Sequence, residues 1–240
     1  MVTKNQIKLV KSLQQKKYRS QHKLFVVEGK KAVLELIGAG LEPFKLFVDT
    51  KIWNEGFKGF EQVASSELKQ MSSLSSPNGV LGVFHIPVVE PIEDSDWVVA
   101  LDDIRDPGNL GTIIRLCDWF GINHLVCSLN TVDCYNPKVL QATMGSIARV
   151  NVVYTDLEKY LEESAQPVYG AFMDGEAVYG KELPKSGVLV MGNEANGISS
   201  GIESIISERI AIPQFGENTT ESLNVATATA ILLNEMKRKG

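Results

Sequence analysis

Three short stretches hold side chains that could meet a ligand, the first of them a phosphate-bearing one. The first, Leu101-Asp102-Asp103-Ile104-Arg105-Asp106-Pro107-Gly108-Asn109-Leu110-Gly111-Thr112-Ile113-Ile114-Arg115, runs from an apolar segment through a Pro-Gly turn into a helical pattern. It places Asn109 near a helix start and Arg115 off the apolar stripe of Leu110, Ile113, Ile114 and Cys117. An amide at a helix N-terminus and a guanidinium on an exposed face both suit phosphate oxygens. An N-capping Asn and a solvated Arg explain the same stretch, and taken alone they are the preferred account. The second stretch, Gly187 to Ile198, is an apolar strand pattern ending at Gly192, where backbone can approach a ligand, with Glu194 just beyond. Glu194 also suits a helix N-terminus on dipole grounds alone. The third runs from Ile210-Ala211-Ile212-Pro213-Gln214 through a polar loop to Glu221-Ser222-Leu223-Asn224-Val225-Ala226. There Ser222 and Asn224 bracket Leu223, and either serves equally as an N-cap.

The elements that must position these stretches are strands alternating with helices. Strands are predicted at 97–102, 123–127, 150–153, 167–172, 187–191 and 209–212, and helices at about 109–120, 137–148, 156–164, 197–206 and 221–238. This is the signature of an α/β fold, a mostly parallel sheet with helices on both faces. Ligands in such folds bind beyond the carboxyl ends of the strands, where all three stretches fall. Ahead of this region, residues 3–17 and 30–38 have helical patterns, 24–27 and 45–48 strand patterns, 66–71 a short helix and 79–86 a closing strand. That suffices for a small α/β domain over 1–88. Residues 89–96 end a Pro- and acid-rich stretch that begins at Pro87 and read as a linker, with a larger domain over 97–240.

Net charge is −5, but its distribution matters more than its sum. Residues 1–31 hold nine basic residues against Glu28 alone, a net +8, which leaves −13 on the rest. Lys16, Lys17, Arg19, Lys23 and Lys30 are the candidate nucleic-acid phosphate contacts of this basic arm. The same charges also fit the solvated face of a helix buried through Ile7, Val10 and Leu13. Cys117, Cys127 and Cys134 lack C-x-x-C spacing, and His22, His85 and His124 are scattered, so core thiols and no metal site are expected. Apolar runs are too short for a membrane span, and the polar start lacks an apolar segment behind it. A cytoplasmic protein without a secretory signal is therefore expected. A nicotinamide-binding reading fails, since Gly38-Ala39-Gly40-Leu41-Glu42-Pro43 lacks the third glycine of G-x-G-x-x-G.

Each chemical stretch is weak alone, but their order and placement resemble a family. Asn-x-Gly-x-x-x-Arg, then Gly-x-Glu, then Ile-Pro followed by Ser-Leu-Asn-Val-Ala is similar to the three motifs of the SpoU/TrmH branch of the SPOUT methyltransferases. Ala142-Thr143-Met144-Gly145-Ser146 resembles the family's small-residue segment, and Phe25-Val26-Val27-Glu28-Gly29-Lys30 its ribosomal-protein-like RNA-binding domain. The resemblance implies a C-terminal trefoil knot, a homodimer and S-adenosylmethionine as cofactor. It also implies transfer of a methyl group to a ribose 2′-hydroxyl of RNA. By motif match the cofactor contacts are Gly192, Ile212 and Leu223, with Met191, Asn193 and Ala226 beside them. The implied catalytic set is Asn109, Arg115, Glu194, Ser222 and Asn224. Two departures adjoin the cofactor segment: Gln214 stands where the family often has methionine, and the loop from Pro213 to Ser222 is longer than usual. Ribosomal RNA, 23S rRNA in particular, is the expected substrate. A tRNA 2′-O-methyltransferase and a non-catalytic RNA-binding or ribosome-assembly factor are the alternatives.

Overall fold

Trp97–Leu101 (β5) and Gly187–Met191 (β9) are apolar and buried at every position, as strands covered on both faces must be. They pair in parallel at the centre of a six-stranded sheet. The computed structural model describes residues 2–49, 59–93, 95–216 and 222–238. Its contacts divide the chain into two units, 1–88 with 133–148 and 89–132 with 149–240.

In the larger unit the strands His124–Ser128 (β6), Asn151–Thr155 (β7), Val168–Ala177 (β8) and Glu208–Ala211 (β10) complete the sheet in the order β10-β8-β9-β5-β6-β7. Every pairing is parallel. One face buries Val98, Ala100, Val126, Val188 and Val190 against Leu157–Glu163 (α7) and Ser200–Glu203 (α8). Pro107–Phe120 (α5) packs on β6 and on Val225–Lys237 (α9). Both ends of α5 are encoded locally. Asp106 caps its first turn, Pro107 occupies the position where no N–H is needed, and Gly121 ends it in the left-handed conformation at φ 66°. The Cys117 thiol of α5 is pushed up to about 12 by burial, so it is a neutral core group.

In the smaller unit Leu24–Glu28 (β1), Pro43–Val48 (β2), Glu61–Gln62 (β3) and Val80–His85 (β4) form a mixed sheet in the order β1-β4-β2-β3. Lys30–Gly38 (α3) and Ser65–Met71 (α4) accompany it. The helix predicted over 3–17 is instead two helices, Lys4–Ser12 (α1) and Lys16–His22 (α2). Arg19 explains the break. Its Nη1 donates to the carbonyls of Leu13 (2.9 Å) and Gln14 (2.8 Å), groups a continuous helix would have used itself. Its Nε and Nη2 donate to Asp133.

Residues 133–148, placed by sequence inside 97–240, thus pack with the smaller unit. Tyr135 also packs its ring against Phe25 in a tilted arrangement, centroids 4.7 Å apart. The predicted helix 137–148 ends early, as Pro137–Thr143 (α6), because Met144 and Gly145 take positive φ. A side chain at Gly145 would collide with Glu35. Residues 89–93, expected as linker, are tied to the larger unit. Glu90 exchanges hydrogen bonds with Asn151, and Glu93 N–H donates to His124 Nε2 at 3.3 Å.

Candidate active site

Register decides which loops meet. Leu101 lies beside Met191, so the loops leaving β5 and β9 emerge side by side. Buried carboxylate and amide groups then fasten them together. Asp102 Oδ2 accepts from Ser199 N–H at 2.7 Å, and Asn193 Nδ2 donates to the Asp103 carbonyl at 2.7 Å. Asn193 Oδ1 accepts from Ala195 and Asn196 N–H, so this side chain is consumed in shaping the loop. Asn193 and Gly197 exchange both backbone hydrogen bonds at 2.9 Å, with Gly197 at φ 68°. Gly192 lies under this hairpin, where a Cβ would fall on the backbone of Gly197 and Ile198. The predicted helix 197–206 accordingly begins later, at Ser200.

Asp103 adopts the left-handed conformation (φ 56°), which aspartate tolerates better than most non-glycine residues. Ser128 Oγ, accepting from its N–H at 2.9 Å, and Asn193, donating to its carbonyl, hold it there. Both Asp103 carboxylate oxygens accept from Arg105, whose side chain is 70% exposed.

Asn109 is the third helical residue, not the cap. Asp106 takes the capping role by accepting from Asn109 N–H at 2.8 Å, which releases the Asn109 side chain. That amide donates to Glu194 Oε1 at 2.8 Å and accepts from Asn224 Nδ2 at 2.9 Å. Asn224 does cap α9, its Oδ1 accepting from Ala226 and Thr227 N–H. One hydrogen-bonded chain, Asn224–Asn109–Glu194, therefore links all three motif stretches. Arg115 stands outside it. It lies on the exposed face of α5 with Thr112 and Trp119, and makes no hydrogen bond or ion pair with any described residue.

A cavity of about 860 Å³ adjoins this chain. Met191, Gly192, Asn193, Glu194, Ile212, Ser222 and Leu223 line it, and so do Pro213 and Gln214. Ala226 does not; it is buried under the Asn224 cap, and Val225, Ala228 and Leu232 of α9 face the cavity instead. Their i, i+3, i+7 spacing was a legible signal. Ala171, Phe172 and Met173 of β8 and the exposed Phe215 are lining residues with no sequence signal, since they read as strand core and loop. Arg209 stacks on Phe172 at 3.6 Å and bonds Asp174, holding that carboxyl below the usual carboxylate range. Gln214, Phe215 and Gly216 represent the long loop; residues 217–221 fall outside the described residues.

In the smaller unit Lys16, Lys17, Lys23 and Lys30 are exposed, as RNA contacts must be. Arg19 is corrected. Its side chain is 4% exposed and enclosed by Asp133 and two carbonyls, so it is a structural ion pair that cannot reach RNA. Removing one partner of such a buried pair typically costs about 3–5 kcal/mol.

A parallel α/β sheet whose strand-end loops form a cavity with convergent amides and a carboxylate defines a ligand-binding protein of the α/β class. Residues 96–234 match the SpoU rRNA Methylase family, and residues 4–82 match the MRM3-like substrate binding domain. The chain belongs to the SpoU methylase family and is a methyltransferase. It is 32% identical to the 23S rRNA (guanosine(2553)-2'-O)-methyltransferase RlmP of Bacillus subtilis, over 98% of this chain and 97% of that one. A TrmH-family structure from Porphyromonas gingivalis superposes with a TM-score of 0.90 at 35% identity over 100% of both chains. An AdoMet-bound rRNA methyltransferase from Sinorhizobium meliloti gives 0.86 at 29% identity, over 100% of this chain and 96% of that one.

Proposed function

We propose that the protein methylates a ribose 2′-hydroxyl of rRNA, specifically 23S rRNA, using S-adenosylmethionine. The observation that carries this is the Asn224–Asn109–Glu194 chain joining three motif loops beside one cavity, in a member of an rRNA methylase family. The cavity fits the cofactor: Met191, Ile212, Leu223 and Leu232 supply apolar walls, and Gly192, lacking a Cβ, lets the Gly197–Ile198 backbone close in as part of the wall. When bound, S-adenosylmethionine supplies a methyl group on a positively charged sulfur that departs as a neutral thioether.

The protein's own part is to seat the nucleotide and favour its 2′-oxygen as a nucleophile. Asn109 is held from both sides, so the Glu194 carboxylate is presented in a fixed direction with its second oxygen available to the ribose. Ser222, at the cavity wall, adds a hydroxyl to the same region. Arg115 is permanently protonated and cannot serve as base; the Glu194 oxygen facing the ribose takes the hydroxyl proton, while Arg115 offsets the negative charge that develops on the 2′-oxygen. The family resemblance further supports a trefoil knot, a homodimer and a cytoplasmic location. No helix among the described residues is long and apolar enough to cross a membrane, and they contain no metal-binding cluster. RNA capture is assigned to 1–88 through Lys16, Lys17, Lys23 and Lys30, and catalysis to 97–240 beyond the 89–96 connection.

The test is transfer of tritiated methyl from S-adenosylmethionine to unmodified total RNA. Label is expected in rRNA, released as a 2′-O-methylnucleoside. Label confined to tRNA would replace the substrate, and RNA binding without label would leave a non-catalytic binding protein.

A further inference from the structure

We propose that Arg105 is an RNA-phosphate anchor at the mouth of the active site. It rests on the reading of this site as an RNA ribose methyltransferase, which supplies the phosphates beside the acceptor sugar. Arg105 immediately precedes the α5 cap Asp106 and lies four residues before Asn109. Its side chain is mostly in solvent, yet its direction is fixed. Nε donates to one Asp103 oxygen at 3.0 Å and an Nη reaches the other at 2.8 Å. A guanidinium has five N–H donors, so this contact leaves three facing outward.

The orienting residue is itself built with care. Asp103 is held in a left-handed conformation by Ser128 on one side and Asn193 on the other. So exposed an ion pair adds little to stability, and its consequence is the orientation of the guanidinium. The same Asn193 that grips Asp103 precedes Glu194, so the fork is tied to the loop bearing the reactive centre. Asp103, by hydrogen bond and charge, raises the guanidinium above its ordinary value. Every ribose 2′-hydroxyl stands on the carbon next to the one bearing the 3′-phosphate. Asn109, four residues beyond Arg105, bonds Glu194 directly, so a nucleotide seated at Glu194 presents its phosphate toward the Arg105 loop, and an outward planar fork matches its oxygens. Asp103 acts through Arg105 and is a positioning residue.

The experiment compares the full-length protein with Arg105→Gln and Arg105→Lys on an unmodified 23S rRNA transcript. RNA binding is measured over a range of salt, apart from turnover, and S-adenosylmethionine binding is measured by calorimetry. Arg105→Gln is expected to raise the KM for RNA about 10-fold, with kcat within about twofold and cofactor affinity unchanged. The slope of log affinity against log salt should shrink by about 0.7–0.9, the loss of one phosphate contact. Arg105→Lys should keep the slope and recover part of the KM. An unchanged KM and slope in Arg105→Gln would overturn the proposal, and so would a fall in kcat with both preserved. A wild type that binds RNA but transfers nothing would refute the functional reading while leaving the slope comparison decisive for Arg105. A wild type that binds no RNA would refute both.

Discussion

Replacing Arg115 with alanine is expected to lower methyl transfer by roughly 10²–10³-fold while sparing both fold and cofactor binding. Arg115 points away from the α5 stripe of Leu110, Ile113, Ile114 and Cys117, all fully buried. Its removal opens no core cavity and orphans no described partner, and alanine is a good helix former. Arg115 is also absent from the lining of the cavity, so cofactor affinity has no reason to change. What is lost is a permanent positive charge available to an oxygen that turns anionic as it reacts. Matched melting curves and calorimetric S-adenosylmethionine titrations, with turnover measured alongside, separate these effects. Turnover at the wild-type rate would show that the guanidinium has no part in the reaction.

Gly192→Ala is expected to weaken S-adenosylmethionine binding roughly 10- to 100-fold with a much smaller effect on overall stability. The added methyl would fall on the Gly197–Ile198 backbone, so the hairpin closed by Asn193 and Gly197 must open. That hairpin is a cavity wall at the end of β9, whereas Val188, Leu189 and Val190 behind it remain packed. The damage is therefore confined to the site. Calorimetry on the folded variant measures it, and wild-type affinity would mean that this hairpin does not shape the cofactor cavity.

The larger sheet was legible because both faces are buried: Val98-Val99-Ala100-Leu101 and Val188-Leu189-Val190-Met191 can hardly be anything but central strands. Helix ends were legible where the signal is local, as at Gly121. What escaped depends on partners far away in sequence. The break after α1 requires Arg19 to meet Asp133, 114 residues on, and the same contact turns a candidate RNA contact into a structural ion pair. The early end of α6 involves Gly145 against Glu35. In the site, spacing alone could not tell an N-capping Asn109 from a free one. The answer lay in Asp106, which takes the cap and frees the Asn109 amide to join Glu194 and Asn224. Nor could composition distinguish Ala226, under the cap, from Ala228 at the cavity. The role of Arg105 is not legible from spacing, because it depends on the backbone conformation of Asp103.

The most direct measurement is a map of ribose methylation in 23S rRNA from cells with and without the gene. A 2′-O-methyl group blocks alkaline cleavage at the following phosphodiester, so each modified nucleotide leaves a gap in the cleavage ladder. One gap is expected to vanish in the deletion strain and to return with the wild-type gene but not with Arg115→Ala. An identical ladder with and without the gene would contradict rRNA ribose methylation as the function of this protein.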